Sequence, residues 1–170
     1  MRVMEPEIDQ YEPADTLWAR GLLTNDFGAP VVVSRGVLRD ASTLPGFVAR
    51  VGGAPAGLVT YHVTGDECEV VTINGAGVGA ALLAAVVSRA SQLGCRRIWL
   101  VTTNDNTRAL RFYQRHGWDL VALHRDAVTA ARRMKPSIPA LGEDGIPLRH
   151  ELELELILAD SPEGEVLVEA

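Results

Sequence analysis

The pattern of apolar and polar positions divides the chain into an irregular first quarter, a sharply punctuated middle and an alternating C-terminal run. Residues 11–23 carry apolar side chains at mixed spacing and are read as a helix. Residues 28–45 are irregular apart from one β-branched run, Val31, Val32 and Val33. From Gly46 the signal is clear. Residues 47–51 read as a strand, 52–55 as a turn, 56–63 as a second strand, 64–66 as a second turn and 67–73 as a third strand. Short strands joined by Gly-rich turns pair antiparallel, because a parallel pair needs a crossover of about a dozen residues or more.

The period then lengthens from that of a strand to that of a helix. Residues 78–93, rich in Ala, Leu and Val, read as a helix with Gly94 at its C-terminal cap. Residues 97–102 read as a strand, 107–116 as a helix and 118–123 as a strand. Asn104, Asp105 and Asn106 all favour the N-cap of that helix, and Gly117 ends it. Residues 126–134 read as a short helix. The stretch 135–147 holds three prolines and two glycines and reads as a long loop, which inside a compact domain is often functional. The C-terminal strand, residues 148–159, alternates Glu151, Glu153 and Glu155 with Leu152, Leu154 and Leu156, so it has one carboxylate face. Residues 161–170 form a tail or one further strand. The expectation is an α+β fold in one domain, 1–170, with a central mixed, mostly antiparallel sheet flanked by helices.

Composition narrows the partners. A chain of 170 residues can bury a core without staples, and its formal net charge of −6 argues against nucleic acid, which requires a basic face. An acidic protein suits a cationic acceptor such as an amine. Cys68 and Cys95 lie in apolar runs and read as buried free thiols. The first ten residues do not read as a signal peptide, and no apolar run approaches the ~20 residues of a membrane span. The expected compartment is the cytoplasm, with no membrane partner. His62, His116, His124 and His150 show no metal spacing with the cysteines, so no metal is expected.

The chemistry is concentrated in two segments. Asn74, Gly75, Ala76, Gly77, Val78, Gly79 and Ala80 join a strand to an apolar helix. A glycine-rich turn of this kind presents free backbone N–H groups and the positive end of a helix dipole, which suits a phosphate. It fits an acyl-CoA pyrophosphate loop, the dinucleotide fingerprint G-x-G-x-x-A, or a plain tight turn. A dinucleotide fold places its fingerprint in a βαβ unit of a parallel sheet, whereas this one follows an antiparallel meander. The second segment is Asn106-Thr107-Arg108-Ala109-Leu110-Arg111-Phe112-Tyr113, closed by Gly117-Trp118.

Taken together and in this order, the two segments resemble the acyl-CoA site of the GNAT superfamily of N-acetyltransferases. The pattern there is Gln/Arg-x-x-Gly-x-Gly/Ala, a strand, then Asn-x-x-Ala-x-x-Phe/Tyr-Tyr-x-x-x-Gly-Phe. The resemblance is best over residues 46–123. Asn74 stands where Gln or Arg is usual, and no basic residue flanks the glycines; Arg108, Arg111 and Arg115 are candidates to supply the missing charge.

The resemblance implies transfer of acetyl from acetyl-CoA to a small-molecule or peptide amine. It implies that Val71, Thr72 and Ile73, the loop from Asn74 to Ala80, and Asn106, Ala109, Phe112 and Tyr113 form the cofactor site. Tyr113 is the expected acid for the leaving thiolate, since a phenol of pKa ~10 can protonate a thiolate of pKa ~8.5. Glu69 is the first candidate for the base and Glu67 the second. Both lie on one face of their strand, and either works only if burial raises its pKa. A backbone N–H near Val71, Thr72 or Ile73 is expected to hold the oxyanion, where that strand splays from the next. The acceptor pocket is expected from residues 1–45 and 135–147, with the Glu151, Glu153, Glu155 row either attracting a cation or forming a solvated face. An acyl-CoA sensor without turnover and a nucleotide-binding domain remain open, as does a homodimer paired through the C-terminal strand.

Overall fold

The computed structural model describes residues 3–158. Its elements run β1 (Glu7–Gln10), α1 (Thr16–Phe27), β2 (Val31–Ser34), β3 (Val37–Asp40), β4 (Gly46–Val51), β5 (Ala54–Thr64), β6 (Glu67–Asn74), α2 (Gly79–Gln92), β7 (Arg97–Thr103), α3 (Thr107–Arg115), β8 (Asp119–His124), α4 (Ala127–Ala131) and β9 (Glu151–Ile157). The main sheet has seven strands in the order β1-β4-β5-β6-β7-β9-β8, and β2 with β3 forms a separate hairpin. Within the main sheet only β6 and β7 pair in parallel, with α2 as the crossover. The fold is the expected α+β class: a mixed, mostly antiparallel sheet between helices.

Each face of the sheet buries a different set. On one face, Leu82, Leu83, Val86 and Ala90 of α2 pack with Val59, Cys68, Val70, Ile98, Leu100 and Leu154 of the sheet, joined by Tyr113 of α3 and Trp118. On the other, Ala19 and Leu23 of α1 pack with Ala41, Val48 and Leu58, and Val71 joins them. Strand alternation therefore puts Cys68 and Val70 toward α2, and Glu67 and Glu69 toward the side of α1 and the hairpin. Both cysteines are buried and free, and burial pushes the Cys68 thiol up to about 12.

The first quarter is more ordered than its pattern suggests. β1 leaves no signal in the apolar pattern because Ile8 is its one apolar residue; it pairs with β4, and Arg50 ties it down through Asp9 at 2.9 Å and Asp15 at 2.7 Å. α1 starts later and runs further than residues 11–23. Pro13 opens a single 3-10 turn, Glu12 N–H bonds the Asp15 carboxylate at 3.1 Å, and Gly28 ends the helix in a left-handed cap. The β2–β3 hairpin turns on Arg35 and Gly36, both at positive φ, 48° and 76°. That is the geometry of a two-residue type I′ turn, whose usual sequence is Asn-Gly; arginine in the first place hides it.

β9 lies between β7 and β8, bonded to both. It is not an edge, so it cannot carry the subunit pairing expected of it; the edges of this sheet are β1 and β8. Residue 159 and the tail at 161–170 lie outside the described residues.

The 135–147 loop is held at the start of α3. Asn104 accepts the N–H groups of Arg149 and His150, each at 2.9 Å, and donates to the Pro147 carbonyl at 2.9 Å. Buried Asp105 accepts the Glu143 N–H at 2.9 Å and the Thr103 hydroxyl. Of the three cap-like residues, only Asn106 caps the helix. Asp105→Ala removes the acceptor of the part-buried Glu143 amide and Thr103 hydroxyl and should destabilise the protein by about 1–3 kcal/mol; denaturant melts that coincide with wild type would remove this anchoring role.

Candidate active site

The glycine loop sits at the end of β6. Gly75 and Gly77 have φ of 135° and 75°. A Cβ on Gly75 would fall 2.7 Å from the Ala56 carbonyl oxygen, so this end of the loop is pressed against β5. A Cβ on Gly77 would meet nothing within 4 Å, so the outer side of the loop is open. α2 then begins with no side-chain cap. Its first-turn N–H groups and dipole face this opening, which is what a pyrophosphate requires.

Asn74 does not reach toward it. Its Nδ2 donates to Asp26 of α1 at 2.7 Å, and its Oδ1 is buried without a partner. The side chain fastens the strand end to α1, and only its backbone borders the loop.

The two sequence motifs meet in space. A Cβ on Gly79 would lie 3.2 Å from the Phe112 ring, so α3 abuts the N-terminus of α2. Asn106 Oδ1 accepts the Ala109 N–H at 3.1 Å, which leaves its Nδ2 as a free donor. Arg108, Arg111 and Arg115 are exposed on α3. Tyr113 is 6% exposed, packed edge-on to Phe112 at 5.3 Å and against Trp118 at 5.9 Å. Burial raises its phenol well above the ordinary range. The hydroxyl makes no hydrogen bond among the described residues, and it is not one of the polar atoms sealed from solvent.

Between the motifs the sheet divides. The parallel ladder holds at Glu67↔Arg97, Cys68↔Ile98 and Glu69↔Trp99, then stops. Beyond it β7 stays with β9, while β6 stays with β5. The β5–β6 register slips between Thr60↔Thr72 and Tyr61↔Val70, so Val71 is the extra residue of a bulge. From Val70 to Asn74, β6 has no ladder partner on its β7 side, and backbone N–H groups there are available to a ligand.

Glu69 stands at the vertex of this split. It is 5% exposed, with His62 opposite it on β5 and Trp99 on β7. Burial is the main cause that raises its carboxyl pKa. Ser34, close by but outside hydrogen-bonding geometry, and the Arg39 guanidinium at 4.0 Å oppose the rise without cancelling it. His62 is shifted the other way, first by burial and then by the Arg39 charge. Glu67 is different: its side chain is 47% exposed and ion-paired to Arg97 at 3.6 Å. Of the two candidate bases, Glu69 is the buried one.

The carboxylate row of β9 lies on this same side and is internally paired. Glu151 is 4% exposed and accepts the Arg35 N–H at 3.2 Å; Glu153 meets Arg97 and His124, and Glu155 meets Arg97. The row is a covered network, neither the solvated face nor the open cation trap considered from its alternation. A cavity of about 200 Å³ remains beside Glu69, lined also by Ser34, Arg39, His62 and Trp99. The hairpin contributes Ser34, Arg35, Val37 and Arg39 to its lining; the 135–147 loop does not line it. Ser34, Arg39 and Trp99 carry no signal in the linear pattern, since the hairpin that brings two of them here was itself hidden.

Comparison with known proteins agrees with this geometry. The model of the GNAT acetyltransferase family matches residues 26–118. The Bacillus subtilis (strain 168) protein YdhI is 40% identical over 144 residues, 79% of this chain and 89% of that one. Among solved structures, a Bacillus subtilis acetyltransferase in complex with CoA is similar at a TM-score of 0.67 and 21% identity, over 91% of this chain and 100% of the other. Arabidopsis thaliana Naa50 in complex with the bisubstrate analogue CoA-Ac-MVNAL is similar at 0.66 and 16%, over 91% and 99%. This chain belongs to the GNAT acetyltransferase family. Its fold is that of acyl transfer from acetyl-CoA, and among the described residues no helix is long and apolar enough to cross a membrane.

Proposed function

We propose that this protein transfers the acetyl group of acetyl-CoA to a primary amine by direct attack of the amine on the thioester. The observation that carries the reading is the end of the β6–β7 ladder at Glu69↔Trp99, which opens a gap beside a buried carboxylate of raised pKa. The pyrophosphate would lie on the N–H groups from Gly77 to Ala80, and the pantetheine in the gap, against Val71, Thr72 and Ile73. Glu69 takes a proton from the acceptor ammonium. The amine nitrogen forms a C–N bond to the carbonyl carbon, and a β6 backbone N–H holds the oxyanion. The C–S bond then breaks as the nitrogen gives up its second proton, to solvent or to the departing thiolate, and Tyr113 donates a hydrogen bond to that sulfur. A route through an acyl-cysteine finds no support, because Cys68 points into the core and its pKa of about 12 keeps it a thiol.

The test has two stages. Melting curves with acetyl-CoA, CoA, NAD and ATP should show stabilisation by the two CoA species alone, by about 2.7 kcal/mol at a hundred times Kd. Thiol release with a panel of amines should then show turnover. Binding without turnover by any amine would favour an acyl-CoA sensor; no response to CoA would end the reading. Gly77→Asp is a companion variant. Asp tolerates positive φ and adds negative charge at the open side of the loop. It should weaken acetyl-CoA binding at least about 10-fold, equivalent to about 1.4 kcal/mol, and, because the backbone here is left-handed, lower the melting temperature of the free protein somewhat; unchanged affinity would rule out the cradle.

A further inference from the structure

Among the described residues, three buried polar atoms around the Glu69 cavity have no partner in hydrogen-bonding geometry: Ser34 Oγ, Arg39 Nε and Glu69 Oε1, with Ser34 and Arg39 both near the Glu69 carboxylate. Folded proteins rarely leave such atoms unpaired, and three around one cavity point to a missing ligand. Their chemistry is mixed. Glu69 offers an acceptor for a cation, Arg39 a cationic donor for an anion, and Ser34 a hydroxyl able to serve either.

The neighbouring charges are already committed. Arg35 lies 3.6 Å from Glu151, and Arg97 is taken by Glu153 and Glu155. Arg39 has only Glu69, at 4.0 Å from Nε to Oε2, too far for a hydrogen bond. That gap is short enough for one molecule with an ammonium and a carboxylate on the same carbon to bond both. A cavity of about 200 Å³ falls below the ~300–1,000 Å³ usual for drug-sized ligands, so the occupant is small. Trp99 and Val37 supply an apolar wall for a side chain.

We propose that this cavity is the acceptor pocket and that it takes a free α-amino acid, its ammonium on Glu69 and its carboxylate on Arg39 and Ser34. The inference rests on the acetyl-transfer reading for what happens to that amine, but not for its binding. Arg39 is a specificity-determining residue here. A simple alkylamine or an amino-acid ester would bury the Arg39 Nε–H without an anion and lose the corresponding hydrogen bonds.

The experiment titrates the full-length protein, saturated with CoA, with each of the twenty common L-amino acids and with its methyl ester, by calorimetry. At least one free amino acid should bind 10-fold or more tightly than its ester. Arg39→Gln should abolish that preference by weakening the free acid, and Arg39→Lys should restore part of it. Ser34→Ala, which leaves the charges intact, should weaken the free acid alone and serves if Arg39→Gln fails to fold. If no free amino acid binds, or acid and ester bind alike, or Arg39→Gln keeps the preference, the pocket assignment is overturned. Replacing CoA by acetyl-CoA separates the two ideas. Binding of the acid without thiol release would sink acetyl transfer and leave the pocket standing; turnover of amines without regard to a carboxylate would sink the pocket and leave acetyl transfer standing.

Discussion

Glu69→Gln should lower the rate of acyl transfer by about 10³-fold at neutral pH, within the range that general-base catalysis supplies. Glutamine keeps the shape and loses the ability to take a proton. The same substitution should change the pH profile. In the wild type, kcat/KM rises with pH as Glu69 ionises, and burial places that limb above the ordinary carboxylate range. In the variant this limb should vanish. Stability gives an independent sign. A carboxyl whose pKa is higher in the folded state than in the unfolded one favours folding below the unfolded value, and that advantage is lost as pH rises through the folded value. At pH 8 Glu69 is therefore a charge held at a cost, and Glu69→Gln should melt no lower than wild type. A full-rate variant, or one that keeps the acid limb, would transfer the role elsewhere. Glu67→Gln is the natural control. Its exposed, Arg97-paired side chain predicts a change of less than about 3-fold, in keeping with the small worth of exposed ion pairs.

The core of the fold was legible because it is written locally. From Gly46 to Leu123, alternation, glycine turns and capping residues each act within a few positions of where they stand, and the strands and helices fall where those signals put them. Glu69 and Tyr113 could be singled out from motif position, and alternation put Glu67 and Glu69 on one face of their strand. What stayed hidden depends on contacts distant in sequence. β1 is a strand only because β4 pairs with it, and the β2–β3 turn has Arg35 where its geometry favours Asn. The pairing that compensates Glu151 of β9 runs through Arg35, more than a hundred residues earlier. Asn74 was read as part of the phosphate loop because of its neighbours in sequence; its side chain is instead claimed by Asp26. The orphaned atoms of Ser34 and Arg39 belong to the same class, invisible until the hairpin folds onto β6.

Tyr113→Phe should lower kcat by about 10²-fold, the lower end of what a positioned acid provides, while acetyl-CoA affinity changes by less than about 2-fold. The two measurements separate because the ring and the hydroxyl do different work. The ring packs against Phe112 and Trp118, and phenylalanine fills the same place. The hydroxyl bonds nothing among the described residues, so its removal strands no partner and the melting temperature should hold. The raised pKa of this phenol keeps it protonated throughout the physiological range, so Tyr113 adds no alkaline limb to the rate profile there. It also makes complete proton transfer to sulfur less favourable than a hydrogen bond that strengthens as charge develops on the leaving thiolate. A donor whose thiol has a lower pKa needs that help less. An acetyl thioester of an aryl thiol should therefore lose less rate than acetyl-CoA when Tyr113 is replaced. Equal losses with both donors would mean that the tyrosine positions the thioester; no loss with either would confine it to the core.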